Sequence, residues 1–379
     1  MKIRQVPEDF FVEEIPNLKL VPDGEYKIYR LKKRDLDTLY CLNQITKSKG
    51  ILRQDIGFAG LKDRHAVTIQ YITVPKKYDI TFKNEKLQIH LVGTVEKPLL
   101  LGEMEKNHFK IIVRDIKPKE VRVFTQKHRL IRAPNYYDSQ RFGGIQYNQA
   151  HTQPKFIYRH IIKNNYYEVM RLYLTQYSSS DTRDIHKDKK NIKRVWPEVK
   201  KAKVESAEFK TIIKKYLSTN NWQEAYEKID KDQRKFFKSA YLSYLWNECI
   251  KELIQRQVKN KDLKFKRYAA GQLYYSKIYP KDLPKTFHTI GKTTNYTDLE
   301  KEIIQKILEK EELKIEDFQD MESQERAVLI HPENFNVTHI LTDELNSSEK
   351  HPKQKVTLNF DLPSGSYATI ILKYFGVSD

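Results

Sequence analysis

Residues 57–70 read GFAGLKDRHAVTIQ and combine a turn signal, one carboxylate and the beginning of a strand. The stretch opens on a Gly-x-x-Gly spacing, which is typical of a turn. The run 67–74 is rich in β-branched residues and predicts a strand. Asp63, between Lys62 and Arg64, is therefore expected on a turn that leads into a strand, where a side chain is both accessible and rigidly supported.

The first 115 residues contain four further strand-like runs and one helix-like run. The strand-like runs are residues 9–15, 25–31, 87–92 and 108–113. In the helix-like run, 35–50, leucine and isoleucine recur about every three residues, and Gly50 is placed as a C-cap. Because the strands cluster and do not alternate strictly with helices, the pattern predicts an α+β fold with a mixed or antiparallel sheet.

From about residue 150 to residue 313, apolar residues follow helical spacing, and strand patterns return at the C-terminus. The predicted helices are 154–173, 207–217, 232–255 and 298–313. The predicted C-terminal strands are 356–360 and 367–374, joined by a hairpin near 364–366. Strands that flank a helical middle predict a catalytic domain, residues 1–149 plus 317–379, interrupted by a mostly helical insertion domain, residues 150–316.

The charge of the chain favours a polyanionic partner. The net charge is +19 and the isoelectric point is near 9.4, which predicts salt-dependent binding of nucleic acid. The alternative is that a compositional bias towards lysine supplies part of this charge. The segment 183–203 carries nine Lys/Arg against three Asp/Glu, and it is either a phosphate-contacting arm or a solvated or disordered surface segment.

Several classes of protein receive no support from the sequence. Cys41 and Cys249 have no CxxC or Cys/His spacing, so neither a disulfide framework nor a zinc site is predicted. No run of about 18 apolar residues occurs, which indicates a soluble, cytoplasmic protein. Neither a GxxxxGK[ST] loop nor a GxGxxG fingerprint is present, so no nucleotide cofactor is predicted.

Asp63 is the leading candidate for chemistry. A carboxylate beside fixed cations has its charged form favoured and suits a nucleophile or a base better than an acid. The alternative is a turn carboxylate bonded to backbone amides. A glycosidase-like site would need a second carboxylate at a defined separation. His65 is expected to be a packed or exposed side chain and not part of a relay.

A second polar and aromatic group occurs in PNYYDSQRFGG, residues 134–144. Asn135, Gln140 and Arg141 offer hydrogen bonds to a base edge or a phosphate, and aromatic rings between them offer faces for stacking. Tyr136 and Phe142 are each expected in the core.

Five stretches, in order along the whole chain, resemble the signature of the TruD family of tRNA pseudouridine synthases. These stretches are PEDFFVEE (7–14), GLKDRHAVT (60–68), NYYDSQRFG (135–143), SAYLSYLWN (239–247) and LPSGSYATIIL (362–372). The resemblance implies an isomerase that detaches uracil from its ribose, rotates it and rejoins it through carbon five. It implies no metal and no cofactor.

The resemblance also implies roles for residues that match the family motifs. Asp63 matches the essential aspartate that initiates glycosidic cleavage, and Arg4 matches a basic residue, normally lysine, that pairs with it. The residues that match supporting or base-binding positions are Phe10, Asn135, Tyr137 and Tyr367. The candidate RNA contacts are Lys62, Arg64, Gln140 and Arg141.

Three positions depart from the family pattern, and the mildest is Trp246, because LWN replaces LFN there and the change is conservative in kind. Tyr137 stands where the family usually has phenylalanine, so its hydroxyl needs a partner or water. Asp138 replaces a glycine, which questions the backbone geometry of that loop, although aspartate tolerates positive φ better than most residues.

The predicted function is conversion of uridine to pseudouridine in tRNA, with position 13 as the first site to test, by a monomeric enzyme. The flipped base would be caught by stacking, which nearly offsets the cost of its extrusion. The alternatives are a non-catalytic RNA-binding protein or chaperone that retains the fold, and a carboxylate-dependent hydrolase.

Overall fold

The computed structural model describes residues 1–100, 102–126, 131–143, 156–178, 181–293 and 295–377. The chain divides into two compact units. Unit 1 consists of Met1–Ala133 and Ile330–Asp379, and unit 2 consists of Pro134–Leu329. The assignment of catalysis to 1–149 plus 317–379 and of RNA binding to 150–316 stays a prediction.

The strands and helices are numbered in chain order. The strands are β1 Phe10–Ile15, β2 Tyr26–Arg34, β3 Gly57–Phe58, β4 Val67–Pro75, β5 Phe82–Lys83, β6 Leu87–Val95, β7 Lys106–Ile116, β8 Ala133–Pro134, β9 Lys264–Tyr268, β10 Gly271–Tyr275, β11 Thr286–His288, β12 Glu325–Ala327, β13 Leu329–Ile330, β14 Glu333–Thr342 and β15 Gln354–Pro363. The helices are α1 Thr38–Lys49, α2 Arg122–Thr125, α3 Ile157–Ile162, α4 Tyr166–Thr175, α5 Arg183–Val195, α6 Ala207–Thr219, α7 Trp222–Tyr226, α8 Lys231–Gln257, α9 Asp298–Lys310 and α10 Ala368–Tyr374.

Unit 1 is built on a nine-stranded mixed sheet. The strand order is β14-β15-β7-β1-β4-β2-β6-β5, and β3 pairs with β4. β1 and β4 are parallel, whereas the other pairs described in this sheet are antiparallel. The predicted α+β class with a mixed sheet is therefore confirmed. β4 lies in the middle and is buried along most of its length, which explains why its sequence lacks a clean alternation.

Helix α1 packs on one face of this sheet, as its spacing predicts. The Asp37 carboxylate accepts a hydrogen bond from the Tyr40 amide at 3.1 Å and caps the N-terminus. The helix ends at Gly50, whose φ of 65° lies in the left-handed region that glycine adopts at little cost. Leu42 and Ile45 are buried against Leu31 and its neighbours on β2, β4 and β6.

The C-terminal prediction of a strand over 367–374 is wrong, because these residues form helix α10. All residues from Ala368 to Lys373 are buried, including the polar Thr369 and Lys373, so the segment has no exposed face that would reveal a helical period. A short run of this kind cannot be assigned to helix or strand by periodicity alone. The predicted hairpin near 364–366 is consequently a turn from β15 into a helix.

Unit 2 is mostly helical, as predicted, and its longest helix is α8. Residues 154 and 155 of the predicted helix 154–173 lie outside the described residues, and the remainder forms α3 and α4. Asn165 breaks the run because its side chain caps α4 by accepting from the Glu168 amide. The sequence does not predict the antiparallel hairpin of β9 and β10.

The basic segment 183–203 is not an irregular loop. It forms α5 and a short 3₁₀ turn, with Ile192 and Val199 buried in the core of unit 2. The Asp188 carboxylate accepts the main-chain amides of Glu205 and Ser206 at 2.9 and 2.8 Å, which fixes the segment to the start of α6. Within the described ranges, no helix is long and apolar enough to cross a membrane.

Candidate active site and base-binding group

Asp63 lies on the loop that leads into β4, with its carboxylate accessible. About a third of its side chain, 31%, is exposed. Arg4 Nη2 donates to Asp63 Oδ2 at 2.8 Å, and the Arg4 guanidinium lies 4.1 Å from the centre of the Phe10 ring. Arg4, Phe10 and Asp63 therefore form one group in unit 1, and the carboxylate is bonded to a guanidinium and not folded back on backbone amides.

The Arg4 backbone is held in an unusual conformation. Its φ of 58° lies in the left-handed region, which costs a residue with a side chain about 1–2 kcal/mol. The ring of Phe10 is 2% exposed and packs edge-on against Phe109, with ring centres 6.3 Å apart. The guanidinium thus rests on a fixed aromatic surface, which restricts the direction from which it reaches Asp63.

The buried ammonium of Lys33 supports the loop that carries Asp63. Lys33 is fully buried, and its Nζ donates to the carbonyl oxygens of Leu36, Lys62 and Asp63 at 2.8, 3.2 and 2.6 Å. These three acceptors match the three N–H donors of a protonated lysine. Burial lowers the pKa of Lys33 to about 8.

The Lys62 ammonium is engaged inside the protein. It lies 2.9 Å from Glu14 Oε1 and donates to Asn107 Oδ1 at 2.8 Å, and only 13% of its side chain is exposed. Burial raises the pKa of Glu14, and the charge of Lys62 opposes this shift. A second Glu14 oxygen accepts the Tyr71 amide at 2.9 Å.

The main chain around Lys62 is fixed as well. The Lys62 amide donates to Thr38 Oγ1 at 3.1 Å, and the Thr38 hydroxyl donates to Gln70 Oε1 at 3.0 Å. The Gln70 amide group donates in turn to the Gly60 carbonyl at 3.3 Å. Helix α1 and strand β4 therefore hold both sides of the loop that carries Asp63, so the carboxylate is supported rigidly.

The base-binding candidates in unit 2 are organised by Arg326. Its Nη2 donates to Asn135 Oδ1 at 2.9 Å and to the Asn135 carbonyl at 3.2 Å. Trp246 Nε1 also donates to this carbonyl, at 3.2 Å. Asn135 is 4% exposed, and the half-buried Arg326 orients its side chain.

Tyr137 is fixed through its backbone and its ring. Asn247 Oδ1 accepts the Tyr137 amide at 2.9 Å, and Asn247 Nδ2 donates to the Tyr137 carbonyl at 2.8 Å. The guanidinium carbon of Arg326 lies 4.3 Å from the Tyr137 ring centre and 5.5 Å from that of Trp246. Arg141 lies 5.6 Å from the Tyr137 ring centre, so two cations flank a half-buried aromatic ring.

Asp138 does not need the positive φ of a glycine. Its φ is −98° and its ψ is 175°, which is extended backbone, and its carboxylate accepts the Ser139 amide at 2.7 Å. This bond caps the short 3₁₀ helix Ser139–Phe142, so the replacement is accommodated. Tyr136 and Phe142 are fully buried, as expected, and Arg141 Nε donates to Ser243 Oγ at 3.2 Å.

The structure thus assembles two groups of predicted residues, Arg4 with Phe10 and Asp63 in unit 1, and Asn135 with Tyr137 and Arg141 in unit 2. Of the other predicted residues, Lys62 is bonded to Glu14 and Asn107 inside unit 1. Arg64 and Gln140 are exposed, and Tyr367 is half-buried at the start of α10. His65 pairs with Asp35 at 3.0 Å and takes no part in a relay with Asp63.

No sequence motif marks Lys33, Glu14 or Arg326 as a site residue. Glu14 and Lys33 each continue the buried phase of their strand, after Val12 and Leu31 respectively, and a charge in that phase is a usable signal. Arg326 lies almost two hundred residues from Asn135 along the chain, and no local pattern marks it. Among the described residues there is no cluster of three or more metal-ligating side chains.

The comparisons with known proteins agree along the whole chain. A family model described as tRNA pseudouridine synthase D (TruD) matches residues 1–375. The chain is 36% identical to "Probable tRNA pseudouridine synthase D 1" of Methanococcus maripaludis, over 98% of each protein. It is 29% identical to tRNA pseudouridine synthase D of Aquifex aeolicus, over 100% of this chain and 99% of that protein.

The fold is also found in a solved structure. The crystal structure of a TruD protein from Methanosarcina mazei matches with a TM-score of 0.67. The match covers 99% of this chain and 93% of that one, at 21% sequence identity.

Proposed function

The chain belongs to the TruD family of tRNA pseudouridine synthases, and we propose that it converts uridine 13 of tRNA to pseudouridine, with Asp63 initiating cleavage of the glycosidic bond. The reaction breaks the bond between C1′ and N1 of the uridine and forms a bond between C1′ and C5. The proton on C5 is lost, and N1 gains a proton. The product therefore has the mass of the substrate.

The geometry around Asp63 supports this role. Arg4 bonds to Oδ2 and orients the carboxylate, while Oδ1 has no hydrogen-bond partner in the described part of the chain. An oriented carboxylate with one oxygen available can attack C1′ as a nucleophile or remove a proton as a base. Lys33 and Thr38 would act as positioning residues, because they touch the loop and not the reacting atoms.

The second part of the proposal concerns base recognition. A uridine within folded RNA must be extruded, at a cost of a few kcal/mol, before a carboxylate can reach it. Stacking on an aromatic ring returns about 1–3 kcal/mol per base. Tyr137 is proposed to supply this stacking, and the buried Asn135 amide to contact a uracil edge or fix the loop. Phe10 and Tyr367 are proposed as further aromatic walls.

RNA phosphates are proposed to contact Arg64, Gln140 and Arg141. The side chain of Lys62 is occupied by Glu14 and Asn107, so we propose a positioning role for it instead of the expected phosphate contact. The exposed cations of 183–203 would add affinity that is independent of sequence. We further propose that the enzyme acts on tRNA as a monomer in the cytoplasm.

The accessible, oriented Asp63 carboxylate is the single observation that carries the proposal. The test uses tRNA transcribed with uridine tritiated at C5, because only isomerisation at C5 releases this tritium. We expect one equivalent of tritium per modified site and a carbodiimide-dependent stop of reverse transcription at position 13. Stops at other positions would refute the site while retaining the reaction.

The two alternatives give different results in this experiment. A hydrolase would release free uracil and leave an abasic site, without exchange at C5. An RNA chaperone would bind the transcript and release neither tritium nor uracil, which would contradict the proposed enzyme. The mass of the digested nucleosides provides an independent check, since pseudouridine and uridine have equal mass and different chromatographic retention.

A further inference from the structure

The central sheet of unit 1 has a second face, which carries a basic cavity. Phe11 pairs with Val67 of β4 and with Lys110 of β7, and Lys32 pairs with Gln88 of β6. Residues at alternate positions of a strand point to opposite faces. Phe11 and Lys32 therefore face away from Glu14 and Lys33, the residues that support the Asp63 loop.

The cavity on this face has a volume of about 460 Å³ and is lined entirely by residues of unit 1. We call six of its lining residues the sheet-face patch, namely Phe11, Lys32, Arg34, Lys86, Gln88 and Lys110. Volumes in this range are typical of sites that enclose a small ligand or a single base. The floor between the polar groups is apolar, because Val67 and Ile112 also line the cavity.

The charges of the patch are predominantly positive. Three ammonium groups, on Lys32, Lys86 and Lys110, form no ion pair within the described ranges. Arg34 is paired with Glu8, so this cation is already compensated. Glu85 also lines the cavity. Lys33 lines it as well, but its ammonium is bonded to carbonyl oxygens of the Asp63 loop. Without Lys33, the cations of the lining exceed the carboxylates by two. Such a site favours an anionic ligand.

We propose that the sheet-face patch binds a single-stranded segment of RNA, separate from the uridine that is modified. Phe11 is half-buried, so its ring is fixed and still presents a surface on which a base can stack. Lysines around an aromatic ring match the alternation of phosphates and bases along a single strand. Gln88 supplies a donor and an acceptor for a base edge.

A double helix does not match these features, because its bases are stacked internally and cannot reach an aromatic side chain on a sheet. The inference goes beyond the proposed reaction, since it assigns a second RNA contact on the opposite face of the sheet. It depends neither on which uridine is modified nor on the role of Asp63.

The test measures equilibrium binding of a labelled oligouridine on the order of eight nucleotides to the full-length protein, by fluorescence anisotropy at several salt concentrations. We compare wild type with Lys32→Ala/Lys110→Ala, with Phe11→Leu and with a control double variant, Lys19→Ala/Lys97→Ala. The control removes the same charge from two exposed loop lysines of unit 1. Thermal unfolding of each variant verifies that it is folded.

We expect Lys32→Ala/Lys110→Ala to weaken binding and to reduce the slope of log K against log salt by about 1.4, because two phosphate contacts are lost. We expect Phe11→Leu to weaken binding by about 5- to 150-fold with little change in slope. The control variant should bind with nearly the wild-type affinity, because it loses only the general attraction of two positive charges.

Photocrosslinking with 4-thiouridine in the same oligonucleotide should label the peptide that contains Phe11. The proposal would be overturned if both patch variants bound oligouridine as tightly as the control variant does. Crosslinks confined to other peptides would overturn it as well. The proposal would also be overturned if the patch substitutions weakened binding of oligoglutamate and left binding of oligouridine unchanged. That result would assign the patch to an acidic protein partner.

Discussion

Lys33 Nζ donates a 2.6 Å hydrogen bond to the main-chain carbonyl oxygen of Asp63. The bond joins a fully buried cation to the residue that we propose starts the reaction. It acts on the backbone and leaves the carboxylate to Arg4. The orientation of the Asp63 side chain therefore depends on two cations, of which one holds the loop and the other holds the carboxylate.

Replacing Lys33 should affect turnover more than RNA binding. Lys33→Met removes the donors to the Leu36, Lys62 and Asp63 carbonyls, so the loop is free to shift. A displacement of about 1 Å in an active site can cost on the order of 100-fold in rate. We expect kcat to fall by about 10- to 100-fold with KM for tRNA little changed, measured by tritium release.

Lys27→Met is the matched control for this variant, because Lys27 lies on the same strand and its amine donates to the Tyr78 carbonyl, away from the loop. We expect its kcat to stay within about threefold of wild type, within the usual small effect of a surface substitution. Equal losses in both variants would show that the effect is general destabilisation of the strand.

The depressed pKa of Lys33 predicts a pH dependence of stability. Its folded pKa is about 8, whereas an unfolded lysine titrates near 10.4. Between these values the unfolded chain binds a proton that the folded chain has released. The free energy of unfolding of wild type relative to Lys33→Met should therefore rise with pH in this window, by at most about 1.4 kcal/mol per pH unit.

Denaturant unfolding of both proteins from about pH 6 to about pH 10 checks this prediction. The difference in the free energy of unfolding between wild type and Lys33→Met should be constant below about pH 7 and increase above about pH 8. A difference between the two proteins that stays constant over the whole range would contradict a shifted Lys33.

Substitutions in the Glu14–Lys62 pair test whether Lys62 has a positioning role or contacts RNA. Lys62→Met leaves the buried Glu14 carboxylate without its counter-charge, which should destabilise the fold by about 3–5 kcal/mol. Glu14→Gln/Lys62→Met should recover much of this loss, because no buried charge remains unpaired. Denaturant unfolding measures both effects.

The affinity of the double variant for tRNA gives the complementary result. We expect it to resemble that of wild type, with an unchanged salt dependence. A reduction of about 0.7 to 0.9 in the salt slope would instead show that Lys62 contacts a phosphate.

Arg326 should orient Tyr137 and Asn135. Arg326→Met removes the cation beside the Tyr137 ring and the donors to Asn135, interactions worth roughly 1–3 kcal/mol in total. We expect kcat/KM for tRNA to fall by about 10-fold or more. Arg326→Lys keeps the charge and loses the planar fork, so its kcat/KM should lie between that of wild type and that of Arg326→Met.

Arg267→Met is the control for Arg326, since Arg267 is an exposed cation of unit 2. It should change only the salt dependence of binding. Activity of Arg326→Met that equals activity of Arg267→Met would show that Tyr137 and Asn135 do not need this support.

The elements that could be predicted from the sequence are those with a regular period or a defined cap. Helix α1 was identifiable from its leucine spacing and from Gly50, and β1, β2 and β7 from their alternation. The α10 segment could not be assigned in this way, because its apolar residues are buried on all sides. The β9–β10 hairpin was obscured by lysines and an arginine on its exposed positions.

The chemical group is predictable only in part, because short motifs identify residues that are close along the chain. The motif around residue 63 contains Asp63, and the motif around residue 135 contains Asn135 and Tyr137. Their supports come from distant segments, since Arg326 bonds to Asn135 and Asn247 bonds to Tyr137. Only the folded chain shows such pairings.

The replacement of Asp63 by asparagine tests the central claim most directly. Asp63→Asn keeps the size of the side chain and an oxygen for Arg4, and it removes the carboxylate. Under single-turnover conditions with saturating enzyme, we expect tritium release to slow by at least about 100-fold while the Kd for tRNA stays within about threefold. Tritium release by Asp63→Asn at a rate close to that of wild type would contradict the account.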